Sequence, residues 1–255
     1  MKHRMWIAPS WSTAFRQMGL IAVQSTRHGG VSPAPWASLN LGLHTADDPE
    51  RVRANRRRFF DALGVDVCAV AGGHQVHGAE VAVVAQVGQY DGCDAFVSNQ
   101  PGLLLTVTVA DCVPVLLFDP KRQVVAAAHA GWRGTVQQVA ARTVQAMHHR
   151  FGCQPADLYV WIGASIGFEQ FEVGPEVARH FAQAHKKQSK HPGKWLVDLK
   201  AANRAQLEAC GVPSNQIEVS YWCTAAHNYD FFSHRKEGGR TGRMLAAIGW
   251  GFTNS

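Results

Sequence analysis

Long apolar runs are missing from this chain. No stretch of 18 hydrophobic residues occurs, which argues against a membrane-spanning helix. The opening MKHRMWIAPSWSTAF is broken by Pro9 and by polar residues, so it reads as no secretory signal. There is no CxxC pair, and the six cysteines (68, 93, 112, 153, 210 and 223) are scattered. That spacing fits a reducing cytosol better than a disulfide scaffold, and a cytoplasmic protein is expected. GxGxxG and P-loop patterns are absent too, which removes the two commonest backbone cradles for nucleotide phosphates. Neither an internal repeat nor a low-complexity segment interrupts the sequence.

What is present fits an ordinary globular protein. Hydrophobic residues make up 46% and charged ones 17% of 255 residues, enough to bury a sizeable core. The length suits one large domain or two small ones; a single domain over residues 1–255 is the reading adopted. The formal charge of +6 and the pI near 9.1 raise the question of a nucleic-acid partner. The excess is spread out, and its densest run, Arg51, Arg53, Arg56, Arg57 and Arg58, has the spacing of a solvated helix face. A binding site for an anionic small molecule could account for part of the excess, and neither nucleic acid nor membrane is expected as a partner.

Capping residues predict four helices. Asp48, Pro49 and Gly64 frame 49–63; a second runs from Gly134 or Thr135 to Phe151 before Gly152. Pro175 opens a third to about Ala184, and Asp198 caps a fourth ending at Cys210. Strand-like runs lie at 21–26, 80–87, 103–109, 114–119, 123–130 and 158–163. Strands come in series as well as alternating with helices, which predicts mixed α/β or α+β layers: mixed sheets flanked by helices.

Three clusters carry the chemistry: HQVHG around His77, TVADCVP around Cys112 and AAAHAGWRGT around His129. Two imidazoles and a thiolate suit Zn²⁺ and leave a fourth tetrahedral position open, as catalytic zinc sites do. Each residue also has a bland reading: His77 as a surface histidine, His129 as a core histidine, Cys112 as a small buried hydrophobe. If Pro120-Lys121 is a two-residue loop, 119 faces 122 and Cys112 falls directly opposite His129. Opposed Cβ atoms then lie about 4.5–5.5 Å apart on one face, right for shared ligation or a thiolate–imidazolium pair. Pro-Lys is a poor hairpin turn, and a one-residue slip would separate the faces. Beyond His129, AGWRGT enters a helix and places Arg133 where an anion would approach.

These blocks, with STRHGGVSPAPWASLNLGLHTADDPERVRANR, IGASIGFEQFEVG and CTAAHNYDFFSHRKEGGRTGR, resemble in order the YfiH-type laccase-domain family. Members have been named polyphenol oxidases, purine nucleoside phosphorylases and peptidoglycan editing factors. The resemblance implies a layered α/β domain, a metal site at His77, Cys112 and His129, and zinc rather than copper. It also implies phosphorolysis of adenosine, inosine, guanosine and methylthioadenosine, with adenosine deamination. Cys112 and His129 would then be catalytic, and Arg27, Gln75, Arg133 and Arg235 would bind substrate or phosphate. Rival readings are a metal-free cysteine amidase with Cys112 as nucleophile and His129 as base, a copper oxidase, and a basic nucleic-acid-binding module.

Overall fold

The computed structural model describes residues 4–252. One six-stranded sheet has the order β1 (Trp6–Ile7), β2 (Ile21–Ser25), β15 (Met244–Gly249), β7 (Leu104–Val109), β3 (Val70–Gly72) and β5 (Gly88–Gln89). A second has the order β14 (Ile217–Val219), β10 (Tyr159–Ile162), β8 (Val113–Asp119), β9 (Val124–Ala130), β6 (Ala95–Ser98) and β4 (Val81–Val83). Both mix parallel and antiparallel pairs. A small third sheet joins β11 (Glu172–Val173), β13 (Trp195–Val197) and β12 (Lys186–Gln188).

Period-two alternation assigns each face of the large sheets. Leu105, Val107, Ala246 and Ile248 of the first sheet meet Leu116, Phe118, Val125 and Ala127 of the second in a core between the sheets. On the outer face of the second sheet, Val115, Leu117, Ala126 and Ala128 pack against α3 (Val139–Phe151) and α5 (Leu199–Ala209). Phe59 and Phe60 of α1 (Pro49–Ala62) cover Val23, Leu104 and Leu245 on the outer face of the first. The result is a mixed α/β domain of four layers, helix, sheet, sheet and helices, as the sequence predicts.

Strong caps give helices where expected. Asp48 accepts from Glu50 N–H at 2.8 Å to start α1, and Asp198 accepts from Ala201 N–H at 2.9 Å to start α5. The helix expected from 134 to 151 is divided. A short α2 (Trp132–Val136) stops at Gln137, and Gln138 adopts φ 63° before α3 begins. The break keeps Gly134 against the Gly78 carbonyl, where a Cβ would stand only 2.8 Å away. The helix expected from Pro175 to Ala184 is one turn, α4 (Pro175–Ala178). The run 80–87 also shortens: after Val84 the chain leaves the second sheet so that β5 can pair with β3 in the first.

The β8–β9 hairpin corrects the expected register. Its loop has four residues, 120–123, because Asp119 Oδ1 accepts from both Lys121 N–H (2.9 Å) and Arg122 N–H (3.0 Å) while Gln123 turns to φ 55°. Asp119 therefore faces Val124, and His129 faces Pro114 rather than Cys112. The shift is two residues. A shift of two preserves the face, so Cys112 becomes a diagonal neighbour of His129.

Candidate metal and substrate site

Residues 110–112 carry the chain from β7 in the first sheet to β8 in the second. Asp111 makes the corner at φ 84°, and both carboxylate oxygens are held: Thr224 Oγ1 donates to one at 2.6 Å, Arg235 N–H to the other at 2.7 Å. Cys112 follows at the mouth of the second sheet. His129, only 3% exposed, comes from the end of β9. His77 comes from the HQVHG loop, which is tied down by Gln75. That side chain accepts from Thr108 N–H and Oγ1, both at 2.8 Å, and donates to Thr108 O at 2.9 Å.

Asp94 joins the two histidine-bearing segments, and nothing in the sequence reading marked it. It is fully buried. Its carboxylate accepts from the backbone N–H groups of Val76 (3.2 Å), His77 (3.0 Å) and Gly78 (2.7 Å) and from His129 Nδ1 at 2.8 Å. His129 N–H also donates to Asp94 O at 2.7 Å. One carboxylate thus fixes the His77 loop, held at φ 60°, and orients the His129 ring.

The ligand atoms of His77, Cys112 and His129 all lie within 4.8 Å of one another. The two imidazoles meet edge to face, with centroids 4.9 Å apart. Because Nδ1 of His129 is engaged by Asp94, Nε2 is the nitrogen left to coordinate, the carboxylate–histidine arrangement common at metal sites. Burial alone would raise the Cys112 thiol, but the neighbouring His129 and His77 pull it well below its ordinary value. Burial would likewise lower the His129 imidazole, yet Cys112 and Asp94 hold it above the usual range. A thiolate beside a proton that a cation displaces is what metal binding requires. The donor set fits a divalent metal.

Gly131 provides the room. A Cβ there would stand 3.1 Å from Cys112 Sγ and 3.1 Å from His77 Cδ2. Its φ of −67° suits any residue, so Gly131→Ala is expected to fold normally. It should weaken metal binding roughly tenfold, read by competition with a chromophoric chelator.

A cavity of about 770 Å³ opens over the three residues, within the size range of small-molecule sites. Gln75, Asp111, Trp132 and Arg235 line it with them, as do Arg56, Glu172, His234 and Arg243. Of the arginines expected at the site, Arg235 is there, with Nη1 donating to Glu172 O at 2.8 Å. Arg27 and Arg133 are not among the lining residues. Arg27 holds loops together: it donates to Ala37 O and Asn228 O, pairs with Glu237 at 3.1 Å and stacks over Phe232. Arg133 stacks 4.5 Å from the Trp132 ring on the short helix α2. Arg56 departs from the expectation of a solvated face; it is half-buried and lines the cavity.

Residues 21–251 match the family described as multi-copper polyphenol oxidoreductase laccase. The purine nucleoside phosphorylase YlmD of Geobacillus stearothermophilus is 39% identical over 247 residues, covering 91% of this chain and 90% of that protein. An adenosine deaminase from an unknown prokaryotic organism is 35% identical over 246 residues, covering 90% of this chain and 94% of that protein. The crystal structure of YlmD from Geobacillus stearothermophilus superposes with a TM-score of 0.90 at 36% identity, over 98% of this chain and 97% of that one. A match of this extent in both sequence and fold makes the chain a member of the laccase-domain family, of the YfiH type.

Proposed function

We propose that this protein is a zinc-dependent purine nucleoside phosphorylase acting on adenosine, inosine, guanosine and methylthioadenosine, and that the same site deaminates adenosine. The observation that carries the reading is the His77, Cys112 and His129 cluster, buttressed by Asp94 and forming one wall of a cavity of small-molecule size. The names of the relatives, a phosphorylase and a deaminase, point the same way. His77, Cys112 and His129 would hold the zinc, which would supply Lewis-acid polarisation at that wall. Copper also accepts two histidines and a cysteine, but among the described residues no second group of three such ligands exists to build a multicopper centre.

The chain's own residues supply the rest. Asp94 holds His129 in one tautomer and fixes its ring. Gln75 anchors the loop that presents His77. Trp132 and Phe171 give the cavity aromatic walls on which a purine can pack. In phosphorolysis a phosphate oxygen bonds to C1′ as the bond from C1′ to the base breaks, and the base departs with a proton. In deamination water adds at C6 and ammonia leaves. The six free cysteines and the thiolate ligand suit a reducing compartment, and we place the protein in the cytoplasm.

A second reading rests on the same residues. Cys112, His129 and Asp94 form a nucleophile, a base and an orienting carboxylate in line, the arrangement of a cysteine amidase. A chelator separates the two. The expected result is about one zinc per chain and phosphate-dependent release of base from adenosine and inosine, lost on chelation and restored by zinc. Metal-free protein that hydrolyses an amide through Cys112, with no base released, would transfer the case to the amidase.

A further inference from the structure

Two half-buried arginines line the cavity, and neither forms an ion pair among the described residues. Arg56 on α1 donates through Nη1 to Leu41 O at 3.0 Å and lies 5.3 Å over the Phe60 ring. Arg243, just before β15, donates through Nη1 to Thr241 O and Gly242 O, both at 3.0 Å. Both arginines are pinned to one segment, residues 40–42. Arg243 N–H donates to Asn40 Oδ1 at 2.9 Å, and Arg243 O accepts from Leu41 N–H at 3.0 Å. The Arg243 stem lies where a Cβ on Gly42 would stand, 2.6 Å from Cγ. Residues 40–42 thus hold the guanidinium of Arg56 and the backbone of Arg243.

Each guanidinium has five N–H donors, and in each backbone carbonyls engage Nη1 alone. Nε and Nη2 of both have no protein acceptor among the described residues. Arg27 differs because it engages all three nitrogens in loop contacts, and Arg235, whose Nη1 donates to Gln170 O and Glu172 O, differs in being exposed where Arg56 and Arg243 are half-buried. Burial pulls Arg56 down to about 10 and lowers Arg243 as well, while the charges of Cys112 and Asp111 partly restore the latter. Arg243 is therefore within electrostatic reach of the thiolate. Arg56 has burial alone acting on it, and a half-buried cation with no charge of opposite sign near it is costly to keep. A planar fork of spare N–H groups in a cavity matches the oxygens of a phosphate group.

We propose that Arg56 and Arg243 form an oxyanion subsite that receives a phosphate group beside the His77, Cys112 and His129 cluster. The proposal rests on the phosphorylase reading for its place in catalysis, since the subsite would deliver phosphate towards the metal wall. The chemistry is shared by free orthophosphate and by a phosphate ester on the substrate.

The test uses zinc-loaded full-length protein and the variants Arg56→Gln, Arg243→Gln, Arg56→Lys and Arg243→Lys. Arg142→Gln serves as a control for net charge, because Arg142 is exposed on α3. Calorimetric titrations with orthophosphate and with adenosine 5′-monophosphate are paired with initial rates at varied phosphate. Thermal midpoints and zinc content identify any variant that has lost its fold. The glutamine variants should bind phosphate about ten- to a hundredfold more weakly, with the KM for phosphate raised in step and the KM for nucleoside unchanged. The lysine variants should recover part of the loss, and Arg142→Gln should match wild type. An arginine-dependent response to orthophosphate identifies the free ion, and one confined to the monophosphate identifies an ester group; either supports the subsite. Equal affinity in wild type and the glutamine variants, or no binding of either ligand by wild type, overturns it. Arginine-dependent phosphate binding without base release from any purine nucleoside would remove the phosphorylase reading and leave the subsite. Base release whose KM for phosphate ignores both arginines would do the reverse.

Discussion

Cys112→Ala should retain its fold, bind no stoichiometric zinc and turn over nucleoside at least about a thousandfold more slowly than wild type. The side chain removed is small and only partly buried, so the thermal midpoint of metal-free protein should fall only modestly, through loss of the thiolate charge beside His129. Metal analysis and base-release rates on the same preparation read both effects. This variant alone cannot tell a lost ligand from a lost nucleophile, because both mechanisms need the sulfur. His77→Ala can. His77 belongs to the metal cluster and also helps to lower the Cys112 thiol, but His129 is the imidazole that Asp94 orients. If zinc is the working group, His77→Ala should be nearly as inactive as Cys112→Ala. A cysteine amidase would keep its nucleophile, base and carboxylate in that variant and lose only the part of its rate that His77 contributes by lowering the Cys112 thiol.

How much of this was legible in the sequence depends on how local each signal is. Asp48 and Asp198 cap their helices through contacts two and three residues away, and both helices were read correctly. The three candidate ligands stand in motifs unusual enough to select before any fold is known, and they do converge. The hairpin register failed by two residues. Its turn is decided by Asp119 reaching forward to two backbone N–H groups, whereas the Pro-Lys pair alone suggests a two-residue loop. The interrupted helix at Gln138 is a tertiary effect, set by the close approach of Gly134 to Gly78. Arg56 sat in a basic run that looked solvated, since helical spacing alone cannot say which arginine turns toward a cavity. The largest omission was Asp94, which lies in YDGCDAF and looks like a loop acid. Its partners are 16 to 35 residues away, and only the pairing of β6 with β9 brings it beneath both histidines.

That omission carries the second large effect. Asp94→Asn keeps the shape of the side chain, but its amide nitrogen must replace an oxygen that now accepts hydrogen bonds. At least one of the N–H groups of Val76, His77 and Gly78, or the His129 Nδ1 proton, loses its acceptor inside the protein. An unpaired buried donor costs about 1–3 kcal/mol, and the His129 imidazolium of the metal-free protein also loses its counter-charge. A fall of about 3 kcal/mol in unfolding free energy is expected by denaturant titration. Zinc affinity should fall about 10–100-fold, since the carboxylate no longer fixes the His129 ring. The pH profile gives a separate signature. Burial would raise the Asp94 carboxyl, but His129 and the N–H groups of Gly78 and Val76 hold it below its ordinary value of 3.8. A depressed carboxylate contributes its full stability above that ordinary value and loses it as pH falls through the lower folded-state value. Metal-free wild type should therefore lose stability on the acid side of about pH 4, and Asp94→Asn should lose less over the same window. Equal acid slopes in the two proteins would mean that the carboxylate is not the charged clamp between the histidine segments, and the orientation of His129 would then need another cause.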